Sequence, residues 1–154
     1  MKRKTIVGLI ALVAIVAAVI FAGCVEESQD QKWRESSAKN AILVGDNLKK
    51  MEAASANEDY EMWALAAKYL YEDAQYALDD STQYSVSSKY EDAKYEYEKA
   101  MNDYKLAGQY SITGIDKIQH GFVEEGNADI KLASGYIESG NNHLQKATDL
   151  LKKA

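Results

Sequence analysis

SKYEDAKYEYEKAMNDYKLA, residues 88–107, carries the helical pattern from which the architecture of the chain can be worked out. Tyrosine and alanine recur in it at steps of three and four residues, and charged residues fill most of the positions between them. The recurring residues are Tyr90, Ala93, Tyr97, Ala100, Tyr104 and Ala107. This spacing places side chains on one face of an α-helix. The stretch therefore predicts a long amphipathic helix that packs this face against other helices.

Two similar stripes precede this stretch. The first predicts a helix over residues 32–55, and the second predicts a helix that begins near residue 58 and fades over residues 79–82. Asn57 is the expected N-cap of the second helix. The third helix is expected to begin at Ser88, since Ser88 and Glu91 form the S-x-x-E pattern of a capping box.

Small residues recur at every seventh position of the following sequence, in the series Ala93, Ala100, Ala107, Gly114, Gly121, Ala128 and Gly135. Such a ladder lets two helix backbones approach closely. It predicts that the helical register is kept across Gly108 and also across Gly126. A helix that ran from residue 88 to residue 125 would measure about 57 Å. The other helices would measure about 33–39 Å, so the third is expected to protrude or to bend at Gly108 or Gly114.

A second line of helical positions, Ile115, Ile118 and Phe122, runs beside this ladder and is at first apolar. The last turn is expected where this line becomes polar. The change occurs at Glu125 and Asp129, which flank Gly126 and Asn127. Asn127 is therefore the predicted N-cap of a final helix over residues 128–152. These patterns, with no proline in the chain, predict an all-α fold, an antiparallel four-helix bundle. The alternative is a long three-helix coiled coil.

The N-terminal residues predict export from the cytoplasm. Lys2, Arg3 and Lys4 precede eighteen residues, 5–22, that carry no charge. Apolar side chains favour insertion into a bilayer, and the flanking cations stay on the cytoplasmic side. We therefore expect three regions: a signal peptide or membrane segment over 1–23, a polar stalk over 24–31, and a helical bundle over 32–154.

Phe21, Ala22, Gly23 and Cys24 end the apolar run, and here the sequence resembles the signal peptide of prokaryotic lipoproteins. The resemblance covers 24 residues, and Phe21 stands where that family prefers leucine. It implies that Cys24 receives a diacylglyceryl thioether and becomes the mature N-terminus. The alternative is an uncleaved anchor, because eighteen residues are about the minimum that spans a bilayer. Both alternatives predict a membrane-anchored protein on the extracytoplasmic face of the cell envelope.

The charge of the exported part excludes two classes of partner. The whole chain has a formal charge of −6, and removing the three cations that precede Cys24 leaves −9. Nucleic acid is therefore not an expected partner. Anionic lipid headgroups would repel the same charge, so membrane attachment must come from the lipid on Cys24 or from the N-terminal span.

No sequence pattern indicates catalysis or a cofactor. The chain lacks the G-x-S-x-G and H-E-x-x-H motifs, and its only cysteine is the predicted lipid site. His120 and Glu124 are one helical turn apart but project to an outer face, and His143 and Asp129 are too far apart to share a metal. We therefore expect a protein that is not an enzyme and that has no metal or cofactor.

Tyrosine is unusually frequent in the middle of the chain, where ten of the eleven tyrosines lie between Tyr60 and Tyr110. Tyr69, Tyr76 and Tyr95 fall outside the predicted apolar stripes. Exposed tyrosines supply rigid contact area and a hydrogen-bonding tip, as in protein interfaces. These three are therefore the candidate binding residues. The alternative is that a neighbouring helix covers them.

Two functional hypotheses follow. The first is a structural or protein-interaction module of the cell envelope with a protein partner of unknown identity. The second is a sensor-type helical bundle that binds a small ligand in a pocket rimmed by Glu125, Asp129 and His143. An unknown hydrolase is a distant third.

Overall fold

The computed structural model describes residues 28–154, which form four α-helices and contain no strand. The helices are α1 (Gln29–Ala56), α2 (Tyr60–Ser81), α3 (Ser88–Gln119) and α4 (Val123–Lys153). The prediction of an all-α four-helix bundle is confirmed. The predicted signal segment 1–23 and the lipid site Cys24 lie outside the described residues.

Each helix packs along the one that follows it in the chain. α1 packs on α2, α2 on α3, and α3 on α4, whereas the backbones of α1 and α3 come close to each other at few positions. Because short loops join them, neighbouring helices are antiparallel. The α1–α2 and α3–α4 loops therefore lie at one end of the bundle, and Ser28 and the α2–α3 loop lie at the other.

Trp33 ties the first three helices together. Its indole is almost completely buried and lies 6.5 Å from the ring of Tyr90 and 6.2 Å from that of Tyr97, both on α3. The indole N–H donates to Ser81 Oγ on α2 at 3.2 Å, and the Ser81 hydroxyl donates to Glu98 on α3 at 2.9 Å. Truncation of a buried aromatic side chain of this kind typically costs about 3–5 kcal/mol.

The contact between α3 and α4 brings two backbones together. A Cβ atom built on Gly126 would lie 2.6 Å from the carbonyl oxygen of Gly114, and one built on Gly114 would lie 2.8 Å from that of Gly126. On the other side of α3, a Cβ on Gly108 would lie 2.8 Å from the Ala67 carbonyl oxygen of α2. α3 is one helix from Ser88 to Gln119, and both glycines lie within it at positions where it packs closely on a neighbouring helix. The expected protrusion or bend of α3 stays a prediction.

The last turn lies at residues 120–122, so its prediction at Gly126 and Asn127 is wrong. Gly121 adopts φ +88° in this turn, a conformation that glycine reaches without strain. α4 starts at Val123, and Asn127 is an exposed residue within it. Glu125, one of the polar residues that suggested a loop, lies with Glu124 in the first turn of α4, where the helix dipole favours negative charge.

The turn also shifts the ladder of small residues. Ala93, Ala100, Ala107 and Gly114 are buried in α3 as predicted. In α4 the buried small residues are instead Gly126, Ala133, Gly140 and Ala147. Ala128 and Gly135 are exposed, so the predicted continuation of the ladder is wrong. Residues 120–122 are not helical, and they reset the helical phase between α3 and α4.

Two predicted N-caps are replaced by neighbouring residues. Asp59, not Asn57, caps α2, and its carboxylate accepts from the backbone N–H of Met62 at 3.0 Å. The predicted capping box at Ser88 does not form, because Ser88 is already helical and Ser87 precedes it. The backbone N–H and the hydroxyl of Ser87 both donate to Asp30 on α1, each at 2.7 Å.

The boundary of the first helix also differs from the prediction. α1 begins at Gln29, so residues 29–31, expected in the stalk, are helical. Ser28 is the N-cap, and its hydroxyl accepts from the backbone N–H of Gln31 at 3.2 Å. Four residues of the predicted 24–31 stalk, 25–28, therefore separate Cys24 from the first residue of α1.

Candidate functional site

One side of α2 exposes a row of large apolar side chains. Met62, Leu65, Tyr69 and Tyr76 are each between 41% and 61% exposed. Together with the exposed Glu72 they follow one another at steps of three, four, three and four residues. That spacing keeps them on one face of the helix. We call these five residues the outer face of α2.

Hydrogen bonds to α1 define where this face lies. Asn47 Nδ2 donates to Asp73 at 2.7 Å, and Asn40 Nδ2 donates to Asp80 at 3.0 Å. Tyr76 on α2 and Leu43 on α1 both lie between these two hydrogen bonds. The two residues are therefore at the same height along the antiparallel helix pair. Leu43 is also exposed, so the apolar surface extends from the outer face of α2 onto the adjoining edge of α1.

Tyr95 is as exposed as Tyr76 but lies on a different surface. The Nζ atom of Lys99 sits over the Tyr95 ring, 4.3 Å from its centroid. Glu96, the next residue along α3, accepts a hydrogen bond from Lys146 on α4 at 2.6 Å. Tyr95 therefore lies on the α4 side of α3, whereas Tyr69 and Tyr76 lie toward α1. The structure brings two of the three candidate tyrosines together and leaves the third apart.

The sequence pattern missed the apolar neighbours of these tyrosines. Met62 and Leu65 were not singled out, although they stand seven and four residues before Tyr69 and share its face. The sequence did contain a signal for this surface. A second set of large apolar residues, spaced three and four apart, lies on the side of the helix opposite the core residues Ala67 and Leu70. An amphipathic surface helix should carry polar residues on that side.

Charges of both signs border the outer face of α2. Lys68 Nζ and Glu72 Oε1 are 3.8 Å apart on successive turns, with side chains 62% and 50% exposed. An exposed pair of this length contributes little to stability. Both side chains are therefore available to other partners.

A second polar cluster joins α3 to α4. The Glu96 carboxylate, which is almost fully buried, lies 2.6 Å from His143 Nδ1 and 2.6 Å from Lys146 Nζ. The hydrogen bond from Lys146 lowers the pKa of Glu96, burial opposes that change, and the hydrogen bond with His143 lowers the pKa further. Asp103 lies 4.0 Å from Nε2 of the same imidazole. The cluster is an internal ion-pair network between two helices.

The residues considered for metal or ligand binding are not brought together. His120 lies in the α3–α4 turn with Nδ1 2.8 Å from the Asp116 carbonyl oxygen. Asp129 accepts a 2.7 Å hydrogen bond from Lys117, His143 is paired with Glu96, and Glu125 is exposed. Within residues 28–154, no three histidine, cysteine, aspartate or glutamate side chains form a group that could hold a metal ion.

None of the four helices within residues 28–154 is both long enough and apolar enough to cross a bilayer. Comparisons with protein-family models, with curated protein sequences and with solved structures gave no match. The candidate site is therefore interpreted from its own geometry and chemistry.

Proposed function

We propose that this chain is a lipid-anchored helical bundle on the extracytoplasmic face of the membrane, where it acts as a protein-interaction module of the cell envelope. Its docking surface is the outer face of α2. It carries out no chemistry of its own and uses no cofactor, and its binding partner is a protein. The proposal depends on one observation: four large apolar side chains are exposed in register along a single helix face.

The size and composition of this face support a docking role. Met62, Leu65, Tyr69 and Tyr76 together expose on the order of 400 Å² of largely apolar surface, the size of patch that on a monomer often marks an interaction site. Tyrosine and methionine are enriched at protein interfaces. Met62 is also adaptable in shape, which suits a surface that must fit a partner.

The anchor proposal combines the sequence resemblance with the position of α1. α1 begins at Gln29, five residues after Cys24. Five residues extend to at most about 18 Å. A lipid on Cys24 would therefore keep the bundle close to the membrane surface and restrict which partners reach the outer face of α2.

No observation favours the sensor-type alternative. A small-molecule site needs polar groups that converge on one cavity. In the described structure Glu125 is exposed, Asp129 is bonded to Lys117, and His143, fourteen residues further along α4 than Asp129, is bonded to Glu96.

Cys24→Ser in the full-length chain tests the anchor. We expect export to continue and lipid attachment and cleavage to stop, so that the variant differs from wild type in mass and in electrophoretic mobility. Identical mass and mobility in the membrane fraction would show that the N-terminal span, and not a lipid, is the anchor.

The docking surface is tested by photo-crosslinking in membranes of cells that express the full-length chain. The photoreactive residue p-benzoylphenylalanine replaces Tyr69 in one variant and Tyr95 in its matched control, because both tyrosines are exposed but on different surfaces. We expect a protein adduct from position 69 and much less from position 95. Equal yields from the two positions would contradict the assignment of the docking surface.

A further inference from the structure

We infer that the occupant of the outer face of α2 is the same face of a second copy of this chain, with the two α2 helices antiparallel about a twofold axis. The inference rests on the proposed docking function and identifies its partner. A twofold interface uses one surface patch on both copies, so that patch must be complementary to itself.

The spacing of the face fits a helix as its partner. Steps of three, four, three and four residues from Met62 to Tyr76 are the heptad spacing by which two helices interlock along a seam. The seam covers about 21 Å of helix. A helix laid along it would meet Tyr69 at the centre, Leu65 and Glu72 on either side of it, and Met62 and Tyr76 near the ends.

The charges at the edge of the seam are complementary to themselves. In an antiparallel pair whose axis passes midway between Lys68 and Glu72, Lys68 of each copy lies opposite Glu72 of the other. Both side chains are at least half exposed, and their pairing within one helix is loose at 3.8 Å. The same axis places Tyr69 of both copies beside the centre. Two ion pairs and a tyrosine contact therefore form at once.

A parallel pair of α2 helices is disfavoured by Glu72. In a parallel heptad seam each residue faces its own counterpart, so two Glu72 carboxylates would meet at a contact position. The antiparallel pair avoids this repulsion. The same axis places Glu61 of each copy opposite Asp79 of the other, beyond the two ends of the apolar seam, where water and salt screen the repulsion.

The area indicates a dimer that depends on the membrane. About 400 Å² of apolar surface per copy, with its charged border, gives an interface of roughly 1,000 Å², the low end for a specific complex. Confinement to one membrane raises the effective concentration of a second copy. A twofold axis along the membrane normal would place Ser28 of both copies at the same height, so both chains can be anchored in one bilayer.

The crosslinking experiment identifies the occupant. Epitope-tagged and untagged full-length chains, each with p-benzoylphenylalanine in place of Tyr69, are expressed together in membranes. We expect adducts of twice the chain mass, including a species of intermediate mass that contains one tagged and one untagged copy. An adduct of position 69 with a different protein would overturn the second-copy inference and leave the docking surface in place. No adduct at all would overturn both.

Charge reversal supplies the second measurement. Lys68→Glu and Glu72→Lys, each alone, should lower the yield of dimer adduct by at least about threefold. When the two variants are expressed together, mixed dimers can form. In a mixed dimer the Lys68→Glu chain has glutamate at both positions and the Glu72→Lys chain has lysine at both, so each glutamate faces a lysine. The yield of dimer adduct should then recover. Both positions are exposed, so the fold should tolerate the changes. Failure of the mixture to recover would contradict the antiparallel arrangement.

Discussion

The backbone contact between α3 and α4 predicts opposite effects of one substitution at two glycines. Gly126 and Gly135 both lie inside α4, and neither has a positive φ. A Cβ on Gly126 would lie 2.6 Å from the Gly114 carbonyl oxygen and 2.6 Å from Cγ1 of Ile118, whereas a Cβ on Gly135 would meet no atom within 4 Å. Gly126→Ala and Gly135→Ala are therefore a matched pair that differs only in the contact.

The magnitude follows from two contributions. Alanine in a helix interior is favoured over glycine by about 0.5–1 kcal/mol, and this gain applies at both positions. Forcing an extra carbon into a packed site typically costs about 1–3 kcal/mol, and this cost applies only at Gly126. Here the cost falls near the upper end of that range, because the nearest obstacle is a backbone carbonyl group that cannot rotate away.

Thermal and urea unfolding of residues 28–154, followed by circular dichroism, measures both variants. Gly135→Ala should raise the melting temperature by a few degrees, and Gly126→Ala should lower it, with a difference in unfolding free energy of about 1–3 kcal/mol between them. At roughly 3–6 °C per kcal/mol for a domain of this size, the two melting temperatures should be well separated. Equal stabilisation by both substitutions would refute the close approach of α3 and α4.

Three further outcomes are expected. Residues 28–154 alone should be soluble, predominantly helical and cooperatively unfolding; a circular dichroism spectrum with under half helix would contradict the bundle. Replacing Tyr69, Tyr76 and Tyr95 together by serine should change stability by under about 0.5 kcal/mol per site, whereas Tyr104→Ala, at a buried ring, should cost about 3–5 kcal/mol; a ten-degree fall in the melting temperature of the triple variant would show that its rings are covered. Glu96→Gln should destabilise the protein near neutral pH, because the pKa of Glu96 is lowered in the folded state. Such a carboxyl group stabilises the fold at pH values above its unfolded pKa, and this stabilisation is lost as the pH falls through its folded pKa. The difference from wild type in urea unfolding should therefore shrink as the pH falls below the ordinary glutamate pKa of 4.5, and a constant difference would exclude an ionic role.

The number and order of the helices could be predicted because each carries its own three-and-four stripe. Those stripes arise from burial of one helix face, which is a local property of the sequence. The last turn could not be predicted in the same way. Gly121 stands in a ladder of small residues and looks like a helix-packing position, whereas it is a turn residue with positive φ. Nothing in the spacing alone separates the two uses of glycine.

The exposure of the three candidate tyrosines was predictable from the sequence, but the surface to which each belongs was not. A helical wheel places Tyr69, Tyr76 and Tyr95 away from the core, and all three are exposed. Whether they share a surface depends on which neighbour packs beside each helix. Asp73 is bonded to α1, and Lys146 of α4 lies near Tyr95. These contacts between helices separate Tyr95 from the other two, and no single-helix pattern contains them.

The packing of each helix on its neighbour in the chain also bears on how fast the protein folds. α1 closes on α2, α2 on α3 and α3 on α4 through loops of three to six residues, so each helix meets mainly its neighbours in the chain. Proteins with such low contact order fold in microseconds to milliseconds. For a chain that crosses a membrane before it folds, as we propose, helix pairs can form in the order in which they emerge. The apolar stripes would then spend little time exposed outside the cell.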